Sequence, residues 1–161
     1  MIHVKHPFPP LYDKDSKILI LGSFPSVKSR ENMFFYGHSQ NRFWKVIAAV
    51  FKEEVPLTIP EKKKLLLKNN IALWDVIQSC DIKGSSDSSI INVVPNDISQ
   101  IIKNAEIKKI ILNGKISEKY YKLYMGSEIP IRAVYLPSTS SANASWSLER
   151  LIKIWNDGIK K

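Results

Sequence analysis

The chain opens its regular structure with Lys17-Ile-Leu-Ile-Leu-Gly-Ser23, an unbroken apolar run stopped by glycine. Such a run predicts a central parallel strand covered on both faces, since a half-exposed strand would alternate. Lys108–Leu112 repeats the pattern ahead of Gly114, and Ile131–Leu136 supplies a third strand. Ile71–Ile77 is short and apolar, and reads equally as strand or helical turn. Between these runs the spacing changes to that of helices. Ser39 caps an expected helix over Gln40–Phe51, with Phe43, Val46, Ile47, Val50 and Phe51 on one face. Pro60 suits the first position of a second helix reaching Asn69. Pro95-Asn96-Asp97 opens a third, turning Ile98, Ile101 and Ile102 inward. A helix over Ser117–Tyr124 follows, and Ser145–Ile159 is amphipathic through Leu148, Leu151, Ile152, Trp155 and Ile159. Cys80–Ser89, rich in Ser, Gly and Asp, reads as a loop.

Strands alternating with helices imply crossover connections, hence an α/β domain with a mainly parallel sheet and helices on both faces. With no repeat or linker, residues 1–161 are expected to form one domain. In such a sheet, ligands bind beyond the carboxyl ends of the strands. Two segments fall there, Gly22–Trp44 after the first strand and Pro137–Ser145 after the last.

Composition narrows the partners. The longest apolar run is far below a membrane span, and the N-terminus lacks the apolar core of a signal peptide, so a cytoplasmic protein without a membrane partner is expected. A lone cysteine, Cys80, excludes an internal disulfide and a four-cysteine metal site, and His3, His6 and His38 do not have ligand spacing. No metal is expected. Twenty-four basic against fifteen acidic residues give a formal charge of +9. That excess favours a polyanion such as nucleic acid, or else reflects a solvated basic surface, as the Lys62-Lys63-Lys64 run does.

Candidate chemistry concentrates in the two segments. In Gly22-Ser-Phe-Pro-Ser26, Gly22 and Pro25 let backbone amides turn inward at the strand end. Phe34, Phe35 and Tyr36 precede Gly37; an aromatic face there suits stacking on an extruded base, and filling the core is the expectation for Phe34 and Phe35. Gln40, Asn41 and Arg42 gather at a helix start, where Asn41 suits either a cap or the positioning of a water. Leu136-Pro-Ser-Thr-Ser-Ser-Ala-Asn-Ala-Ser145 offers small hydroxyls and tight turns that allow close approach to another backbone. By composition alone it is an ordinary strand-to-helix loop.

These motifs, taken in order, resemble the uracil-DNA glycosylase superfamily. They are similar to the mismatch-specific branch, and more closely to the hypoxanthine-DNA glycosylase branch. The shared stretches are Gly22–Ser26, Tyr36-Gly-His-x-Gln-Asn-Arg-Phe-Trp44, Leu73–Val76, Asp87–Ile90, Asn92–Asp97 and Leu136–Ser140, covering roughly Ile18 to Trp155. The resemblance implies a three-layer α/β/α sandwich around a four-stranded, mainly parallel sheet. Two positions depart from the wider superfamily. Phe24 stands where many members carry an Asp or Asn that positions the attacking water, and Leu136 stands where many carry a His or Asn before Pro-Ser. The second departure implies weakened activity on uracil.

The resemblance further implies base-excision repair. The expected reaction is hydrolysis of the N-glycosidic bond of a deaminated base in double-stranded DNA, hypoxanthine first and uracil second, by a monofunctional, monomeric enzyme without a cofactor. Asn41 would be catalytic. Gly22, Ser23, Phe24, Pro25, Tyr36 and His38 would bind the flipped base, with Tyr36 stacking on it. Pro137, Ser138, Thr139, Ser140 and Asn143 would form the loop that presses into DNA. The alternative is an inactive relative that only binds damaged DNA, a reading prompted by Phe24.

Overall fold

The computed structural model describes residues 1–161. Four parallel strands form the central sheet: β2 (Ile18–Gly22), β3 (Ile71–Asp75), β6 (Lys109–Asn113) and β7 (Ala133–Leu136), in the order β3-β2-β6-β7. As the unbroken apolar runs require, both faces are covered. Ile20, Ile71, Leu73 and Ile111 face one apolar cluster, and Leu19, Leu21, Ala72, Ile110 and Leu112 face another. Leu19, Ile20 and Leu21 are wholly inaccessible to solvent.

The first cluster packs against α2 (Phe43–Val50), α3 (Ile59–Lys68) and α6 (Leu148–Lys160). Trp155 of α6 is its largest fully buried side chain, set edge-on to Phe43 at 6.1 Å. The second cluster packs against α4 (Ser99–Asn104) and α5 (Lys115–Tyr124). A short α1 (Val27–Asn32) lies between β2 and α2, and its first turn is capped by Ser26. No helix is long and apolar enough to cross a membrane.

One layer was not anticipated. β1 (Ile2–Lys5), β4 (Ile77–Ile82) and β5 (Ile91–Pro95) form a second, antiparallel sheet in the order β1-β4-β5. The segment expected to be a loop from Cys80 begins instead inside β4, and a single 3-10 turn spans Asp87–Ser89. Ile77, Ser79, Cys80 and Ile82 are buried, whereas Gln78 is exposed and the Asp81 carboxylate is bonded by Asn92 and His3. That polarity hid the strand from a reading by composition. Burial also pushes the Cys80 thiol up to about 11, which keeps it unreactive.

The join between the two sheets positions the site. Beyond Asp75 the chain leaves the parallel sheet and enters the antiparallel one. Val76 and Ile77 N–H groups donate to the carbonyls of Gly22 (2.8 Å) and Ser23 (3.1 Å). The buried Asn96 amide donates to the carbonyls of Asp75 (2.8 Å) and Ile77 (3.2 Å). The ends of β2 and β3 are thereby locked together.

Helix starts differ from expectation: α4 begins at Ser99 because Pro95 is taken up by β5, α5 begins at Lys115, and α6 begins at Leu148 behind the cap Ser147. α2 begins at Phe43, not at Gln40, because the side chain of Asn41 rather than Ser39 accepts from the first helical N–H, that of Phe43 (2.9 Å). Pro60 occupies the second position of α3, with Thr58 as the cap.

Candidate active site

A cavity of about 670 Å³ opens at the carboxyl ends of β2, β3 and β6. Most of the residues that line it are polar or small, in contrast to the apolar layers that support it. At its floor Gly22 ends β2, where a Cβ would come within 2.5 Å of Asp75 Oδ1 and 3.0 Å of Tyr36 Oη. Any side chain at position 22 would occupy the space these two oxygens face.

Tyr36 sits in a left-handed backbone conformation (φ 50°), an unusual state for a bulky residue. The Trp44 indole N–H donates to its carbonyl (3.1 Å), and its ring lies on that of Phe43 at 4.0 Å and 17°. One aromatic face is therefore already covered by the protein. Burial, reinforced by the negative Asp75, holds the phenol far above the usual tyrosine range, so it stays protonated.

From Tyr36 a chain of hydrogen bonds runs across the cavity. Asn113 Nδ2, at the end of β6, donates to Tyr36 Oη (3.2 Å) and to Thr139 Oγ1 (3.2 Å). The Thr139 N–H donates back to Asn113 Oδ1 (3.1 Å). The Thr139 hydroxyl then donates to Asn41 Oδ1 (2.9 Å), which also accepts from Phe43 N–H. Both lone pairs of that amide oxygen are engaged, which fixes the amide's orientation. The two Nδ2 hydrogens are what Asn41 has left to offer a ligand.

Arg42 holds the other wall. Its guanidinium donates to the carbonyls of Ser140 (2.8 Å), Asn143 (3.2 Å), Thr139 (3.4 Å) and Trp146. One fork thus gathers the loop between β7 and α6, a use that suits arginine and not lysine. At the mouth, Ser23 Oγ donates to Asp87 Oδ2 (2.9 Å). Asp87 is exposed on its outer side, but its carboxylate faces inward. Desolvation there, with a smaller contribution from Asp75, pushes its pKa up to about 6 against the opposing Ser23 bond.

A polar cavity closed by an asparagine, a tyrosine and a small-residue loop, at the open end of a β3-β2-β6-β7 sheet, can be compared with known proteins. Residues 9–158 match the uracil DNA glycosylase superfamily. The chain belongs to that superfamily.

It is a DNA glycosylase, and its relatives agree on the length as well as the fold. A hypoxanthine DNA glycosylase of Methanosarcina acetivorans is 35% identical over 149 residues, covering 91% of this chain and 93% of the relative. A second, of Methanosarcina barkeri, is 33% identical over 162 residues, covering 98% and 99%. The solution NMR structure of a candidate uracil DNA glycosylase from M. acetivorans superposes with a TM-score of 0.82 at 32% identity, covering 97% and 96%.

Within the glycosylase, Gly22, Ser23, Phe24, Pro25, Tyr36, His38, Asn41, Ser138, Thr139, Ser140 and Asn143 all line the cavity. The N–H groups of Ser23 and Phe24 have no protein acceptor, so they remain free for a ligand. His38 is exposed and its Nδ1 accepts from Gln40 N–H (3.1 Å). Phe34 and Phe35 are buried, as expected.

Two members of the expected DNA-pressing loop are placed otherwise. Pro137 is buried with its carbonyl accepting from Trp155 Nε1 (2.9 Å), and Thr139 is fully inaccessible within the hydrogen-bond chain. Neither reaches the surface, because the loop folds inward onto Arg42 and Asn113. Asn143 also turns its amide inward, onto the Ser138 carbonyl (3.0 Å). The exposed crest is formed by Ser141, Ala142, Ala144 and Ser145.

Asp75, Asp87 and Asn113 were not singled out as site residues by the sequence reading. Asp75 and Asn113 each end an apolar run with a polar residue at a strand terminus, a signal that was available. Asp87 opens the shared stretch Asp87–Ile90, but nothing local tied it to Ser23, 64 positions away.

Proposed function

We propose that this glycosylase hydrolyses the N-glycosidic bond of deoxyinosine in double-stranded DNA, with uracil a weaker substrate, and leaves an abasic site. The hydrogen-bond chain from Tyr36 through Asn113 and Thr139 to Asn41 is the observation that carries the reading. It supplies a rigid polar wall in a cavity large enough to admit a nucleoside, and both relatives bear the name hypoxanthine DNA glycosylase.

The target nucleotide must leave the stack, since its glycosidic carbon is out of reach inside the duplex. The free N–H groups of Ser23 and Phe24 and the Tyr36 hydroxyl suit a base carbonyl on the cavity floor. A water that accepts from Asn41 Nδ2 keeps a lone pair for the sugar carbon. As its oxygen bonds to that carbon, the carbon–nitrogen bond breaks, and the water's proton passes to the departing base. An oxocarbenium-like sugar needs little base assistance, so holding the water in line is the main contribution. DNA phosphates and the nearby carboxylates favour the transient positive charge.

The +9 charge of the chain supports the approach to DNA, and the crest Ser141–Ser145 is small enough to enter a groove. The protein acts as one domain over residues 1–161 and as a monomer, with no imine step and no cofactor.

Labelled duplexes containing inosine, uracil or xanthine test this. Alkali after incubation is expected to cut the inosine strand fastest, and without alkali no strand is cut. Pure protein that cleaves none of the three would reject the enzyme, and an Asn41→Ala variant at full rate would reject the residue.

A further inference from the structure

Outside the chain of bonds just described lies a second buried pair. His6 follows β1, and its N–H donates to the Gln78 carbonyl (2.7 Å), so the antiparallel sheet delivers it to the end of the parallel one. His6 Nε2 lies 2.6 Å from Asp75 Oδ2, with side-chain exposures of 1% and 6%. The imidazole is enclosed by Phe8 (4.5 Å) and Trp74 (4.4 Å), with Phe24 at 6.0 Å and Phe35 at 6.3 Å.

The protonation state of this pair follows from its neighbours. His6 Nδ1 is buried and has no hydrogen-bond partner. An imidazolium would leave an unpaired N–H there. So would a neutral ring accepting a proton from Asp75, because its own hydrogen would then sit on Nδ1. Only a neutral ring with hydrogen on Nε2 leaves a bare lone pair, and orphaned acceptors are better tolerated than orphaned donors. Asp75 is then the carboxylate, with Oδ2 held by His6.

The other oxygen, Oδ1, has no protein donor and faces the cavity over Gly22, beside Tyr36 Oη. Tyr36 Oη already accepts from Asn113, so its own hydrogen is free to donate. The floor therefore presents an acceptor next to a donor. A ring N–H beside a carbonyl matches it, the edge shared by hypoxanthine, xanthine and uracil. Adenine and cytosine place a bare ring nitrogen there, lone pair against carboxylate. Guanine shares the N–H and carbonyl, so this edge rejects only the two amino-imine bases.

We propose that His6 is a positioning residue for base selection. Its Nε2–H holds Asp75 as an anionic acceptor aimed at the flipped base, and this sets the preference for deaminated bases over adenine. The inference rests on the reading of the cavity as a base pocket.

The test compares wild type with His6→Leu, His6→Gln and Asp75→Asn. Each is assayed in single turnover on inosine, uracil and adenine duplexes, and melted to check folding. Asp75→Asn, whose amide can turn either atom to the base, is expected to lower the inosine-to-adenine rate ratio by about tenfold or more. His6→Leu should lower it similarly, and His6→Gln, which can still donate, should restore it to within a few-fold of wild type. Nitrogen-15 NMR of the wild-type imidazole should show hydrogen on Nε2 alone. A well-folded His6→Leu variant with an unchanged ratio, or hydrogen on Nδ1, would overturn the proposal. Should His6→Leu not fold, His6→Gln and the NMR spectrum decide it. Wild type inactive on every duplex would overturn the glycosylase substrate reading instead, with the tautomer measurement still judging His6.

Discussion

The hydroxyl of Thr139 donates to the amide oxygen of Asn41 at 2.9 Å, joining residues 98 positions apart. Because Thr139 is fully inaccessible to solvent, this bond has no competition from water and fixes one side of the Asn41 amide. Thr139→Val keeps the shape and removes the bond, leaving Asn41 Oδ1 short of one donor and Asn113 Nδ2 short of an acceptor. Stability is expected to fall by about 1–3 kcal/mol and the cleavage rate by at least about tenfold, with Thr139→Ser near wild type. Chemical denaturation and single-turnover cleavage of an inosine duplex measure the two effects.

Asn41 has two tasks that substitution can separate. Its Oδ1 caps α2, and its Nδ2 is the free group facing the cavity. Asn41→Ala is expected to cost about 1 kcal/mol as a lost cap and about a hundredfold in rate. Asn41→Asp keeps the acceptor but not the donor, so its melting temperature should hold while its rate falls. A fully active Asn41→Asp would sink the assignment of water positioning to Nδ2.

Gly22→Ala places a methyl group 2.5 Å from Asp75 Oδ1 and 3.0 Å from Tyr36 Oη. Both oxygens belong to side chains held by other bonds, so they yield only partly. Overpacking of this kind costs about 1–3 kcal/mol. The larger effect is expected on activity, because the methyl fills the floor on which a base would rest. Loss of cleavage at a temperature well below the variant's own melting point would show it.

Asp87 makes stability depend on pH in a direction opposite to most carboxylates. Its pKa is raised to about 6 in the folded chain, chiefly by desolvation. Between the ordinary carboxylate pKa and about 6, the folded state keeps a proton that the unfolded chain has released. The stabilising contribution is present in full below that range and is lost as pH rises through about 6. Asp87→Asn should therefore match wild type near pH 4.5 and exceed it at pH 7.5, as read from the difference in melting temperature. Equal differences at both values would show that the group is unperturbed.

Arg42 is expected to be irreplaceable by lysine. Its fork serves four carbonyls of the loop before α6, and a single ammonium can reach fewer. Arg42→Lys should leave the sheet intact while raising amide exchange across residues 139–146. Weaker DNA binding and slower cleavage should follow. Hydrogen exchange that stays at the wild-type rate there would remove the clamp from the account.

The parallel sheet was dictated by the apolar runs. Runs such as Ile18–Leu21 and Ile110–Leu112 have no polar face, so they can only lie between two apolar layers, and the helices between them carry matching stripes. The sequence also placed the cavity, because glycine and polar residues follow those runs where strands end, and it named Asn41 and Tyr36 there. The antiparallel sheet was not legible, since β4 and β5 show neither an unbroken apolar run nor a regular alternation, and their pairing partners lie on other strands. Tertiary structure alone decided that Thr139 faces inward, that Asn113 bridges Tyr36 to Thr139, that Asp87 meets Ser23, and that His6 backs Asp75. Each of those pairs joins groups 26 to 77 positions apart. A hydrogen bond between distant segments leaves no periodic trace in either one, and it exists only once packing of the apolar layers has brought the strand ends together.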